Sequence, residues 1–530
     1  MAPNPPPGDP PGLLDRPSGW KRKIKDGLVA LSLANLIFLQ VAVDLLEGRG
    51  RFFAQMPVAA PMLLAFICNV LAVALVIWLL IRGTRRLKHQ WMQLPFHLAF
   101  IGAIFWPLDL IRFKLLKITG AEVIYYVKMP PVLLAVFVIL VLVLWQHRAL
   151  ARGMAVFYGL LSPLAVWHLF QAACLAVGIL HLQQCDMQLV PPAWQAVSPA
   201  RPRVVWIIFD ETDYRLAFAQ RPPGVQRPEF DRLQGETLSC TQAYPPADAT
   251  MLSMPSFITG ERVVTNAVGD DCDATLTFAN GRTANWRGRP SVFSQARELG
   301  FNTGLVGWYL PYGRMVGDVL NYCSWYAMPD LAPARSTSFN EAMVMQLATL
   351  GETFNTRHRF GEVHRHSLAD ALQVVADDRF GLTLLHLPAP HLPGVYLANR
   401  QQFTIRRLNN VEAYLNNLTL ADRELGEIRR TMENAGLWDK TWVIVSSDHS
   451  WRSSRQYDHV RDLRVPFLVK TPGTNAPATY ASQFNTVLTH DLILAMLQEQ
   501  VTNQQAVVDW LDTRAPAQHD VPLASPASMF

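Results

Sequence analysis

Long apolar runs crowd the first third of the chain, approximately Leu28–Leu46, Pro61–Ile81, Leu94–Ile111, Pro131–Trp145 and Ala155–Leu180. A helix needs about 20 mostly apolar residues to cross a hydrocarbon core ~30 Å thick. Most of these runs are long enough, although the third and fourth are shorter or interrupted. The pattern predicts an α-helical membrane domain of about five transmembrane helices over residues 21–185. The first run is too long for the apolar core of a signal peptide and others follow it, so it reads as a retained span. A tail over residues 1–20, rich in Pro and poor in large apolar side chains, precedes it and is expected to be disordered.

The apolar content of 50% against 17% charged residues therefore averages two unlike regions. A net charge of +5 needs no nucleic-acid partner, because Lys and Arg collect in the loops of membrane proteins. The tail cluster Lys21, Arg22, Lys23 and Lys25, with Arg82–Lys88 and Arg148–Arg152 read as loops, falls on one side. Arg49, Arg51, Arg112, Lys114, Lys117 and Lys128 fall on the other. The larger basic set is expected to face the cytoplasm. An odd number of spans then puts everything after His181 outside. The expected location is a bacterial inner (cytoplasmic) membrane, multi-pass, with the remaining domain extracytoplasmic.

After a linker at residues 186–202 the texture changes. Val204–Phe209 is a continuous apolar run of strand length, as expected for a strand buried on both faces. Similar runs occur at Thr303–Val306, Leu382–Leu387, Thr441–Val445 and Val465–Val469. Helical patterns lie between them, such as Val292–Leu299 before Gly300 and Leu408–Ala435 before Gly436. Alternating strands and helices predict an α/β domain over residues 203–530 with a mostly parallel central sheet.

Active sites of such sheets gather at the carboxyl ends of the strands. Two strand ends are acidic there. One run leads into Asp210–Glu211–Thr212–Asp213, another into Ser446–Ser447–Asp448–His449. Carboxylate oxygens with an imidazole suit a divalent metal such as Zn²⁺ or Mn²⁺. An Asp after a strand also serves as a turn residue or cap. Thr250, in Asp248–Gly260, opens a helix-like stretch. A hydroxyl there has free backbone N–H groups beside it, which favours a phosphate; it can equally be an N-cap.

These residues, in this order, resemble the alkaline-phosphatase superfamily, specifically its sulfatase-like branch. Asp210 resembles the first metal-ligand segment. Thr250 with Thr259–Gly260 has the spacing of the nucleophile motif. Leu385–Pro393 is similar to the H-x-P-H-x-P segment, and Ser447–Asp448–His449 to the second metal-ligand segment. Val465–Gly473 and the helix carrying Tyr414, Asp422 and Leu425 fit as well. The resemblance covers roughly Arg203–Gly473.

The departures narrow the expectation. The sulfatase motif C-x-P-x-R needs Cys or Ser for conversion to formylglycine. Here Thr250 stands in that place, with Leu252 and Met254 instead of Pro and Arg, and Thr cannot give the aldehyde. The segment is closer to that of phosphoethanolamine transferases, and lipoteichoic acid synthases also use Thr; both families carry N-terminal spans. The resemblance implies a metal-dependent phosphotransferase that moves a phospholipid head group (phosphoethanolamine or phosphoglycerol) through a phosphothreonine. The donor would be a phospholipid, and the acceptor a glycan, lipid or protein. It implies one or two divalent ions held by Asp210, Thr250, Asp448 and His449, with Glu211 replacing or supplementing Asp210. His391, His459 and Lys470 would contact substrate or a second metal. Gly307–Trp308–Tyr309 replaces the sulfate-binding Lys and His, leaving Trp308 to pack a head group or cap the core. His386, inside a strand, reads as a packed core histidine. Water as acceptor would make the protein a phosphodiesterase or phosphatase instead, and a relic domain without catalysis is a third reading. Cys185, Cys240, Cys272 and Cys323 fall on the expected oxidising side, where three pairings are open.

Overall fold

The computed structural model describes residues 19–515, apart from 48–50, 115–122, 124–125, 183–184, 186–189, 197, 199–200, 270–271, 330–335, 350–351 and 474–475. The Pro-rich tail at 1–18 lies outside the described residues, whereas Gly19 and Trp20, expected to be disordered, begin a helix. The chain forms two compact units. One comprises residues 1–49, 58–183 and 334–350, the other 50–57, 184–333 and 351–530. These are not the two contiguous blocks drawn from sequence.

The first unit is helical. Gly19–Ile37 and Leu39–Leu46 meet at a 69° bend, followed by Ala60–Thr84, Gln90–Gly102, Phe105–Lys114, Pro130–Leu160 and Ser162–Ala176. Among the described residues, three helical stretches are long and apolar enough to cross a membrane: Ala60–Thr84, Trp91–Asp109 and Pro130–Ala176. Counting the bent pair as one span makes four among the described residues, at the lower edge of the expected about five. The difference lies in Arg148–Arg152, read as a loop but helical here. Arg, Ala and Leu are strong helix formers, so a short polar interruption need not end a helix. Only Gln146 leaves helical geometry, as a kink. Asp26 pairs with Arg85 in this unit, and Phe339–Ala348 packs on Ala60–Thr84.

The second unit is built on an eight-stranded sheet. In chain order its strands are β1 (Arg203–Phe209), β2 (Leu238–Cys240), β3 (Thr303–Tyr309), β4 (Tyr322–Ala327), β5 (Leu382–Leu387), β6 (Thr441–Ser446), β7 (Phe467–Lys470) and β8 (Ala478–Tyr480). Their spatial order is β8-β2-β7-β6-β1-β5-β3-β4. All pairs are parallel except those made by β7, which runs against both neighbours. All seven residues of β1 are buried, because helices cover both faces. Val204, Trp206 and Ile208 pack with Met254, Phe257 and Ile258 on one side. Val205, Ile207 and Phe209 pack with Leu425, Ile428 and Met432 on the other. Register decides what meets at the upper edge. Ile208 lies opposite Ser446 on β6 and His386 on β5. Two residues further on, Asp210 therefore comes alongside Asp448.

Of the three open cysteine pairings, Cys185–Cys272 forms, with Cys240 and Cys323 as free thiols. The bond closes a loop with a sequence separation of 87 residues. Removing such a crosslink releases denatured-chain entropy, and Cys272→Ser is expected to destabilise the unit by about 2–4 kcal/mol. Calorimetry of the variant against wild type checks this, with reduced wild type expected to match the variant.

Candidate active site

Thr250 occupies the first turn of the helix Thr250–Thr259 and is 5% exposed. The N-cap position belongs to Ala249, so the threonine hydroxyl is not spent on capping. It stands 3.3 Å from His449 Nε2 instead. The helix ends at Gly260 with φ of +73°, where a Cβ would sit 2.7 Å from the His490 ring. Only glycine gives both the left-handed turn and that clearance.

Asp210, Asp448 and His449 meet beside this hydroxyl, all fully buried, with one potential ligand atom from each lying within 4.8 Å of the others. His449 Nε2 is 3.5 Å from Asp448 Oδ2 and 3.8 Å from Asp210 Oδ1. Backbone N–H groups of Glu211 and His449 donate to Asp448 Oδ1. Two buried carboxylates this close oppose each other's ionisation. Burial, and then Asp448, push the Asp210 carboxyl well above its usual range. Burial pushes Asp448 the same way, but His449, His386 and the Thr250 hydroxyl outweigh it and hold that carboxyl below its usual range.

The donor set fits a divalent cation. Asp210 Oδ1, Asp448 Oδ2 and His386 Nε2 are buried with no hydrogen-bond partner among the described residues. Orphaned buried acceptors are costly unless a cation or another donor satisfies them. Two carboxylate oxygens and an imidazole nitrogen suit Zn²⁺ or Mn²⁺.

The residues around the cluster hold it in place. His386 is fully buried, as expected, yet its Nε2 lies 3.6 Å from Asp210 Oδ2. Tyr312 OH shares a 2.6 Å hydrogen bond with His386 Nδ1. Neither role is visible in sequence, because a strand histidine looks like core until the neighbouring strand's register is known. Tyr414 OH donates to the Glu211 carbonyl and accepts from the Asp213 N–H, and its ring stacks on Trp451 at 4.1 Å. Glu211 has φ of +68°, a left-handed turn directly after β1. Its carboxylate accepts from the Arg452 N–H and lies 4.0 Å from His391 Nε2. It thus faces His391 and Arg452, outside the Asp210–Asp448–His449 group. Arg452, which sequence reasoning missed, has its Nε 3.5 Å from Glu211 Oε1 and its side chain 41% exposed. Asp248, two residues before Thr250, pairs with Arg461, tying the loop that leads into Thr250 to the loop after His449.

Three expected substrate contacts are placed differently. Trp308 is fully buried, and its Nε1 donates to Asp210 Oδ2 at 2.8 Å, so it orients a carboxylate and offers no open face to a head group. Lys470 lies on antiparallel β7 opposite Val443, with its Nζ on the Thr441 and Thr471 carbonyls. That is the amino end of β6, roughly 20 Å of strand from Asp448. His459 is exposed, in a left-handed turn after the short helix Arg455–Asp458, with no contact to the cluster among the described residues. His391 is 8% exposed and its ring meets Trp308 edge-on at 5.1 Å.

Comparison with known proteins adds to this geometry. The family model described as Sulfatase matches residues 202–498. Similar solved structures include a sulfatase from Pseudoalteromonas sp., at TM-score 0.39 and 12% identity, covering 56% of this chain and 68% of that one. A protein of the alkaline phosphatase superfamily from Vibrio parahaemolyticus has TM-score 0.38 and 14% identity, covering 57% and 68%. The phosphonate monoester hydrolase of Agrobacterium radiobacter has TM-score 0.37 and 13% identity, covering 56% and 74%. No curated protein matches.

Two substitutions test the geometry. A Cβ on Gly307 would sit 2.5 Å from the Tyr312 ring, which holds His386. Gly307→Ala is expected to cost about 1–3 kcal/mol of stability and to weaken metal retention, read by metal analysis after dialysis. Lys470 has the opposite profile. Burial lowers its pKa from 10.5 to about 8. Between those values the unfolded chain binds the extra proton, so wild-type stability rises with pH across that window. Lys470→Met is expected to lose that rise in pH-dependent melting while leaving turnover unchanged.

Proposed function

The chain belongs to the sulfatase family, and from that premise we propose that it is a membrane-anchored, metal-dependent phosphotransferase with Thr250 as its nucleophile. The observation that carries the reading is the Thr250 hydroxyl, uncapped and 3.3 Å from His449 in the buried Asp210–Asp448–His449 cluster. Threonine cannot become formylglycine, so the hydroxyl itself must react if the site is active. A divalent ion held by Asp210, Asp448 and His449, with His386 close by, would lower the pKa of that hydroxyl and offset charge on the phosphoryl group.

The donor is a phospholipid whose head group is joined through a phosphodiester. Thr250 Oγ forms the new bond to phosphorus as the bond to the diacylglycerol oxygen breaks. The hydroxyl proton ends on that departing oxygen, leaving the head group on Thr250 as a phosphodiester. A hydroxyl of a glycan, lipid or protein acceptor then attacks phosphorus and returns the proton to Thr250. The free N–H groups at the start of Thr250–Thr259 favour the developing negative charge. Arg452 is the half-exposed guanidinium beside the cluster, and it takes the non-reacting anionic oxygens where sulfatases use Lys and His. Glu211 and His391 orient it and border the opening.

The three apolar stretches support anchoring in a bacterial inner membrane. The Cys185–Cys272 bond supports an extracytoplasmic, oxidising setting for the catalytic unit. The test uses the purified full chain with Mn²⁺ or Zn²⁺ and head-group-labelled phosphatidylethanolamine or phosphatidylglycerol. A head-group phosphodiester on the Thr250 peptide is expected by mass spectrometry, and Thr250→Ala is expected to abolish it. Arg452→Ala is expected to slow transfer about 10- to 100-fold, with Arg452→Lys intermediate. Absence of both adduct and head-group release, with Thr250→Ala equal to wild type, would overturn the proposal.

A further inference from the structure

The helix Phe339–Ala348 lies between β4 and β5 in sequence, yet it belongs to the helical unit. It packs on Ala60–Thr84, the most apolar of the membrane-length helices, at a mean hydropathy of 2.9. The contact is polar at its centre. Asn69 is 1% exposed, and its Nδ2 donates to the Met343 carbonyl and to Gln346 Oε1, both at 3.1 Å. Gln346, 3% exposed, donates in turn to the Met62 carbonyl at 2.9 Å. Ala342 fills the space against the span, at 1% exposed.

Asn69 sits nine residues into its helix, about 13 Å from the start at 1.5 Å per residue. Hydrocarbon offers no partner for an amide at that depth, so the side chain must find one on another helix. Gln346 and the Met343 carbonyl supply it. The crossing therefore falls inside one leaflet, not in water. The outward face of Phe339–Ala348 agrees with this position. Its described side chains include Val344, 66% exposed, and Leu347, 39% exposed, beside Ala348. The helix carries a single charged residue, Glu341 in its first turn, which accepts from Ser336 Oγ at 2.6 Å.

We infer that Phe339–Ala348 is a membrane-embedded helix, contributed by a chain segment between two strands of the catalytic sheet, with Val344 and Leu347 resting on phospholipid acyl chains. The inference rests on the membrane reading of the helical unit and is independent of the role of Thr250. Three arguments select lipid as the occupant. The helix packs along a membrane-length span, the Asn69–Gln346 amides lock it at hydrocarbon depth, and its outward face lacks charge beyond the first turn.

Photocrosslinking tests this in the full chain reconstituted in vesicles of phosphatidylethanolamine and phosphatidylglycerol. The photoreactive residue p-benzoylphenylalanine replaces Val344, Leu347, the span residue Leu75 or the exposed Arg406 in turn. After irradiation, intact-mass analysis is expected to show the added mass of one phospholipid at 344, 347 and 75, and none at 406. Lipid capture at 75 without capture at 344 and 347 overturns the inference while leaving the spans intact. Crosslinks from 344 or 347 to a second copy of the chain overturn it in favour of a protein occupant. Failure at all three apolar positions overturns the membrane reading as well.

Discussion

Two carboxylates buried side by side set the terms for the α/β unit. Asp210 and Asp448 sit at the ends of adjacent parallel strands, in register, and fully buried. Such a pair is unfavourable unless protons, an imidazole or a cation offset it. Much of the surrounding structure answers that demand. His449 and His386 approach the carboxylates, Trp308 donates to Asp210, and the N–H groups of Glu211 and His449 donate to Asp448. Outside this layer, Tyr312 fixes His386, and Tyr414 with Trp451 fixes the turn that follows β1. Held this way, the cluster is stiff before a substrate arrives, which is how a site stabilises charge without reorganising.

The same layout explains why the hydroxyl beside the cluster belongs to a helix-start residue. With Ala249 as N-cap, the Thr250 hydroxyl is left over at a positive helix end. It stands beside the buried Asp210–Asp448–His449 cluster. The Asp248–Arg461 pair, both side chains almost fully buried, keeps that loop against the loop from β6. The geometry thus joins three chain segments far apart in sequence through strand register, one glycine turn and one ion pair.

Much of this was legible in sequence, for identifiable reasons. Val204–Phe209 announced a doubly buried strand because helices on both faces require a continuous apolar run. Asp210, Asp448 and His449 were legible because strand ends of a parallel sheet face one edge. Lys470 was misplaced because strand direction is silent in a short apolar run: β7 is antiparallel, which sends its last residue to the far edge. His459 was carried over from the family resemblance, and a left-handed turn after a four-residue helix leaves it exposed. Trp308 points inward to a carboxylate two strands away, a contact that depends on register. Arg452 gave no signal, since one arginine among several in a polar loop has no periodicity. Arg148–Arg152 reads as a boundary by charge, while its backbone follows helix propensity.

The discontinuous units also bear on biosynthesis. The buried amide of Asn69 has its partners at Met343 and Gln346, some 270 residues later in the chain. The helical unit therefore cannot finish packing when its last N-terminal helix leaves the ribosome. It must wait while β1 to β4 are made, with one apolar helix still short of its polar clasp. Residues 50–57 reverse the debt: Phe52 belongs to the core of the α/β unit, and its carbonyl is held by Arg314. Each unit thus depends on a fragment synthesised with the other, so neither can be excised at a single cut, and folding of the two must be coordinated in time.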